Sequence, residues 1–343
     1  MSKTIVIKNF INGEFVQSRQ FLDSFNPATG ELLARVPDSD ALDVDKAVKA
    51  AKNAFPDWSN KEPAVRSKLL HRLADLLESR LLEFATAESR DQGKPLWLAH
   101  KIEIPRAVLN IRHFANTILC DKEICINQPE DGILNYTSRS PCGVAGIIVP
   151  WNLPLYLLTF KLGPALAYGN TVVAKPSEFT SVTAWMLCSL IKEAGIPDGV
   201  VNMVFGYGPK AGEALIRHPD TSLITFTGSD RAGLHIGEVA GAMAKKVSLE
   251  VSKIFLLRKN VIERANRVNY GLSATIWSTD LQKIHSIAPK LEVGTVWCNC
   301  WLVRNLHMPF GGEKRSGLGR EGTEDSRDFY TYKKTICIKY KLP

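Results

Sequence analysis

The chain has 343 residues, 45% of them hydrophobic and 23% charged, with a formal net charge of +8. This is the profile of a globular chain of two domains or one large one, and it excludes disordered and fibrous classes. The Lys and Arg residues are interspersed rather than blocked, so no nucleic-acid partner is expected. A basic surface of this kind suits an anionic cofactor.

In chain order, IVIKNFINGEFVQS reads as a hairpin, two apolar-alternating arms around Asn12-Gly13. FNPATGELL is a turn cluster. From Asp43 to about Cys120 apolar residues recur at three and four, most clearly in AVRSKLLHRLADLLESRLLEF, which predicts helices. GILNYTSRS is a short strand-like run. At Gly143 the rhythm changes. GVAGIIVP is a continuous apolar run, the pattern of a strand buried on both faces. Then follow a helix in LYLLTFKLGPALAYG, strand TVVAK, helix TSVTAWMLCSLIKEAG, strand VVNMVF, helix PKAGEALIRH, strand SLITFT, helix DRAGLHIGEVAGAMA and strand KVSLE. Alternating β and α units predict a doubly wound, Rossmann-like α/β domain with a parallel sheet, its ligand at the carboxyl ends of the strands. A second α/β piece follows: helix VIERANRVNYG, strand LSATIWS, helix LQKIHSIAPKLE and strand GTVWCNC. After it come a glycine-rich loop, PFGGEKRSGLGREG, and an alternating tail strand, FYTYKKTICIKY. That tail could pair with another subunit, or lie beside GILNYTSRS.

Seven cysteines stand at irregular spacing. They predict reduced thiols in a cytoplasmic protein. Cys298 and Cys300 form C-x-C with no second cluster, so no metal site is expected. The opening SKTIVIKNF lacks a basic-then-apolar signal pattern. The most apolar stretch, from Gly143 to Leu166, is broken by Pro150, Pro154 and Pro164 and carries Lys161, which argues against a membrane span.

The strand ends carry the candidate chemistry. The first ends in P-W-N-L-P, where Pro150 and Pro154 hold an extended turn around Trp151 and Asn152. Asn152 can serve as an oxyanion donor or merely close an Asx turn. The second ends in A-K-P-S-E. Lys175 and Glu178 can take the hydroxyls of a ribose, with Glu178 repelling a 2′-phosphate and so favouring NAD; Glu178 can equally complement a helix dipole. The third opens into G-Y-G-P-K-A-G, where Gly208 and Gly212 allow a dinucleotide to approach the backbone. The fourth ends in F-T-G-S, with Gly228 and Ser229 as a phosphate seat or a plain helix cap. The fifth ends at Glu250, a candidate general base.

Taken together and in this order, P-W-N, K-P-S-E, G-x-G-P-x-A-G, F-T-G-S and L-E resemble the NAD(P)-dependent aldehyde dehydrogenase superfamily. I-N-G-E-F, N-P-A-T-G-E, N-Y-G-L-S-A and P-F-G-G-E-K-R-S-G-L-G-R-E-G match it too. W-C-N-C-W, the P-F-G-G segment and D-S-x-D-F are most similar to the 2-aminomuconate semialdehyde dehydrogenase group. The resemblance implies oxidation of a small-molecule aldehyde to a carboxylate, with a cysteine nucleophile, hydride transfer to NAD and hydrolysis of a thioester. By motif position it makes Asn152 the oxyanion donor and Glu250 the base. It makes Pro150, Trp151, Lys175, Glu178, Gly208, Gly212, Gly228 and Ser229 the cofactor site. It also implies an NAD-binding domain over 1–120 and 141–250, a catalytic domain reduced to 251–325, and oligomerisation strands at 121–140 and 326–343, giving a dimer or tetramer through the C-terminal strand.

The chain departs from that pattern in one place. The family's E-L-G-G-K reads E-V-S-K here, so Ser252 would crowd the space a glycine leaves for nicotinamide. The G-Q-x-C nucleophile context and the E-I-F-G-P segment have no counterpart. The chain is roughly 140 residues shorter than ordinary members, a deficit falling wholly at Val251 to Asn260. Impaired activity is therefore expected, and apolar faces left bare. Cys300 is the best-placed substitute nucleophile. The alternative is a non-catalytic NAD-binding or subunit-pairing fragment from an exon-skipped or incomplete gene product.

Overall fold

In the computed structural model, residues 4–251 and 261–341 are described. The expected crowding at Ser252 and the short join (252–260) lie outside them. The five apolar runs form five strands: β1 Val144–Ile148, β2 Thr171–Lys175, β3 Val201–Met203, β4 Thr221–Gly228 and β5 Lys246–Val251. They lie parallel in the order β5-β4-β1-β2-β3. The chain thus winds outward from β1 to β3, returns to the other side of β1, and winds outward again. The reversal puts the topological switch point between β1 and β4, where an open α/β sheet leaves a crevice for ligand. Every residue of β1 and β2 is buried, the burial that a continuous apolar run demands.

Both edges of this sheet are extended by antiparallel strands. Beyond β3 lies the N-terminal hairpin, Asn9–Ile11 with Glu14–Val16. Its two-residue loop has φ of 52° at Asn12 and 77° at Gly13, the left-handed geometry that an Asn-Gly hairpin turn favours. The first arm is shorter than the alternation predicts, because Ile5–Val6 leaves to pair in parallel with Leu32–Pro37. Beyond β5 lies Gly317–Leu318, from the glycine-rich loop.

One face of the sheet is packed by helices Pro63–Ser79, Leu81–Gln92, Ile104–Thr117 and α1, Pro154–Ala167, around Trp58, Leu73, Phe84, Phe114 and Phe160. Every residue of α1 is buried, including Lys161. The expected PKAGEALIRH helix begins as a π-helical turn, Gly208–Gly212, and continues to Arg217. VIERANRVNYG is helical only over Val261–Asn266. Lys314 Nζ donates to the Asn266 and Val268 carbonyls, ending the helix, and Tyr270–Gly271 then pairs with Glu313–Lys314.

The second α/β piece is a parallel pair, Ser273–Ile276 with Thr295–Cys298, connected through helix Leu281–Ile287. At its carboxyl ends Trp277 and Trp301 are 70% and 59% exposed. The tail strand Thr331–Lys339 pairs antiparallel with Ile133–Pro141 over nine residues, and Cys125–Gln128 completes that sheet. No helix among the described residues is long and apolar enough to cross a membrane.

Candidate active site

Because the five strands are parallel, all five motifs arrive at one edge of the sheet. Lys175 is the last residue of β2 and only 3% exposed. Its Nζ donates to the Pro176 carbonyl (3.0 Å) and to Glu178 Oε2 (3.2 Å). Burial lowers the lysine's pKa, and the Glu178 carboxylate opposes that. An ammonium and a carboxylate held side by side at a strand end offer one donor and one acceptor to a vicinal diol. Gly212 backs onto this pair, since a Cβ there would lie 3.6 Å from Lys175 Cδ. Gly208 faces open space. The ends of β2 and β3 therefore meet at Lys175 and Gly212.

At the β4 end, Ser229 caps the helix Asp230–Ala242, its Oγ accepting the Ala232 N–H at 3.3 Å. The hydroxyl is thus engaged as a cap, satisfying one of the first N–H groups of the helix. Gly228 is required by its own neighbour: a Cβ would sit 2.3 Å from Cζ of the Phe226 ring. At the β1 end, Trp151 is 53% exposed and Asn152 is exposed. The Asn152 side chain forms no hydrogen bond among the described residues, so the Asx-turn alternative is not realised. The backbone carbonyl of Asn152 accepts Lys94 Nζ at 3.4 Å.

Glu250 stands near the end of β5 opposite Thr227, whose hydroxyl donates to Glu250 Oε2 at 3.2 Å. Burial raises the pKa of Glu250, and the nearby Glu321 raises it further; Lys161, Arg304 and the Thr227 hydroxyl oppose the rise. Lys161 reaches from α1 to Glu321 Oε1 at 2.5 Å. Arg304 lies between two rings, its guanidinium carbon 4.2 Å from the Phe160 centroid and 4.1 Å from that of Phe310. It donates to the Tyr156 hydroxyl (3.0 Å), and its buried Nε has no partner among the described residues. Sequence reading did not assign Lys161, Glu321 and Arg304 to the site. The one available signal was a lysine inside the apolar run LYLLTFKLG.

The cysteines divide by environment. Cys188 is buried in the core, as expected of a small apolar residue. Cys142 is instead half-buried; burial pushes its thiol up to about 11 despite Lys246 Nζ at 3.9 Å. Cys298 and Cys300 are half-buried at the carboxyl end of the parallel pair. No group of three or more potential metal ligands occurs among the described residues.

Comparison with known proteins bears on this arrangement. The sequence profile described as aldehyde dehydrogenase family matches residues 15–252 and 256–336. A 2-aminomuconic semialdehyde dehydrogenase of Danio rerio is 40% identical over 482 aligned positions, spanning 98% of this chain and 99% of that protein. Its Homo sapiens counterpart is 38% identical over 480 positions, with the same coverage. The 482 positions exceed the 343 residues here by 139, so at least that many have no residue in this chain. The family match is itself interrupted between 252 and 256, where the five-strand series ends. Among solved structures, an indole-3-acetaldehyde dehydrogenase in apo form superposes with a TM-score of 0.93 at 32% identity, covering 98% of this chain and 97% of that one. An aldehyde dehydrogenase from Bacillus cereus in complex with NAD+ gives 0.93 at 30%, with the same coverage.

Proposed function

This chain belongs to the aldehyde dehydrogenase family, and we propose that it binds NAD along the carboxyl edge of its parallel sheet while its turnover of aldehyde is impaired. The observation that carries the reading is the pair of buried Lys175 and half-buried Glu178, backed by Gly212. Lys175 and Glu178 would hold the adenosine ribose, with Gly208 and Gly212 leaving room on the adenine side. The helix start at Gly228-Ser229 would face the pyrophosphate, and Pro150 and Trp151 would border the crevice. Bound NAD supplies the hydride acceptor. Asn152, its amide uncommitted, would donate to the aldehyde oxygen. Glu250, whose surroundings raise its proton affinity, would take a proton from water.

The substrate class we infer is a semialdehyde that also carries a carboxylate, such as 2-aminomuconate semialdehyde. Two relatives are named for that reaction, and the Arg304 guanidinium adds a positive charge near Glu250 that would favour an anionic substrate. The protein would act in the cytoplasm as a homo-oligomer, using the outer edge of Thr331–Lys339. Its activity is impaired on this reading because Glu250 has no cysteine in the family's attacking context. The positions without counterpart also favour a second reading, a silent cofactor-binding or subunit-pairing fragment.

Calorimetric titration with NAD and NADP, beside a separate assay of NADH formation from a semialdehyde, tests both. NAD should bind, with NADP weaker by roughly tenfold or more because Glu178 faces the 2′-phosphate. Absence of NAD binding overturns the cofactor reading. Turnover at ordinary family rates that is lost in Cys300→Ala overturns the impairment and makes Cys300 the nucleophile.

A further inference from the structure

Beneath the turns that carry Asn152 and Lys175 lies an ion cluster that none of the chemistry above uses. Helix Leu81–Gln92 contributes Glu88 and Asp91; Lys94 follows its end, and Glu103 closes the next helical turn. All four side chains are buried. Lys94 Nζ pairs with Glu103 and lies 3.6 Å from Glu88 Oε1. Ionisable groups so deeply placed are costly unless engaged; apart from Asp91 Oδ1, which has no partner among the described residues, much of the engagement here is with the two turns. Lys94 donates to the Asn152 carbonyl at 3.4 Å. Glu88 accepts the Leu155 N–H at 3.4 Å, in the first turn of α1, and the Thr183 hydroxyl at 2.7 Å. Asp91 accepts the Val182 N–H at 2.8 Å. Val182 opens the helix that follows the Lys175–Glu178 turn.

We propose that Glu88, Asp91 and Lys94 are positioning residues: one buried clamp that fixes the Pro150–Pro154 turn and the Lys175–Val182 turn relative to each other. The sheet ladder between β1 and β2 ends at the Val149 N–H to Lys175 carbonyl bond, 3.3 Å. Past that point both turns are anchored to the same short stretch of another helix. The Asn152 amide and the Lys175–Glu178 pair then keep their spacing without contact between them. In its cofactor consequence this rests on the reading given above; the clamp itself does not.

Hydrogen exchange on the full chain tests it. Lys94→Met should raise exchange in 150–156 and in 176–183 by roughly tenfold, the loss of about one charge-assisted hydrogen bond. Exchange in 206–213 should stay at the parent rate, and Lys94→Arg should restore both turns. NAD affinity should fall by roughly tenfold in Lys94→Met and recover in Lys94→Arg. Should Lys94→Met not fold, Thr183→Val removes only the hydroxyl on Glu88 and should loosen 176–183 alone. Unchanged exchange in the two turns overturns the clamp, as does an equal rise in 206–213. A parent chain that binds no NAD overturns the cofactor reading instead, and the exchange data still decide the clamp.

Discussion

Asp91 is an acid placed where charge is unfavourable. Burial, aided by Glu88 and opposed by the Val182 N–H, pushes its ionisation up to about 7. An unfolded aspartate ionises near 4. Between those values the folded chain holds the extra proton, so stability falls as pH rises from about 4 to about 7 and is level above. Asp91→Asn keeps an acceptor for Val182 and removes the titration. The variant should therefore match the parent near pH 4 and exceed it by up to about 4 kcal/mol at pH 8. Urea unfolding at both values measures this; an unchanged pH slope removes Asp91 as its origin. The residue scale is also where sequence reading divides most sharply. Lys175, Glu178 and Glu250 are legible as candidates because a strand end is a local pattern. Glu88, Lys94 and Glu103 carry no such mark. Glu103 pairs with Lys94 nearby, but the partners of Lys94 and Glu88 lie at Asn152, Leu155 and Thr183, far along the chain, and only the folded helix layer brings them together. Arg304 is invisible for the same reason, since its two flanking rings come from α1 and from the glycine-rich loop region.

At the scale of elements, apolar runs and turn residues carry most of the information. The five strands and the Asn12-Gly13 hairpin lie where their patterns put them, because burial on both faces and a left-handed turn are each dictated locally. The misread elements are those whose ends are set by distant partners. The long helical run of the N-terminal region is interrupted at Arg80, giving Pro63–Ser79 and Leu81–Gln92. The glycine-rich loop is the clearest instance, for nothing in PFGGEKRSGLGREG announces that Gly317 pairs with Glu250. Gly317 has φ of 150°, and a Cβ there would lie 2.0 Å from the Leu249 carbonyl oxygen. Gly317→Ala should therefore push the loop off the β5 edge and destabilise the fold by about 2 kcal/mol or more. A urea midpoint equal to the parent's would show that the loop does not hold Glu250's strand in this way.

At the scale of the whole molecule, the second α/β piece forms a sheet of its own. A parallel sheet is ordinarily covered on both faces. Here two parallel strands pair only with each other among the described residues, and Trp277, Leu281, Trp301 and Val303 are exposed around them. Exposed apolar side chains of this size, where contiguous, make a binding or aggregation surface. All five strand-end motifs are present, whereas at least 139 positions of the Danio rerio alignment have no residue here, and the family match breaks between 252 and 256. Binding and turnover should accordingly separate in this chain. Where alignment with the Danio rerio relative places an inserted segment between Val251 and Val261, a chimera carrying that segment tests the separation. The chimera is expected to bind less of a hydrophobic dye than the parent, to bind NAD with the parent's affinity, and to form NADH from a muconic semialdehyde where the parent does not. If the parent already turns over that substrate at the chimera's rate, the missing positions are not what limits it, and a nucleophile within the present 343 residues must be sought.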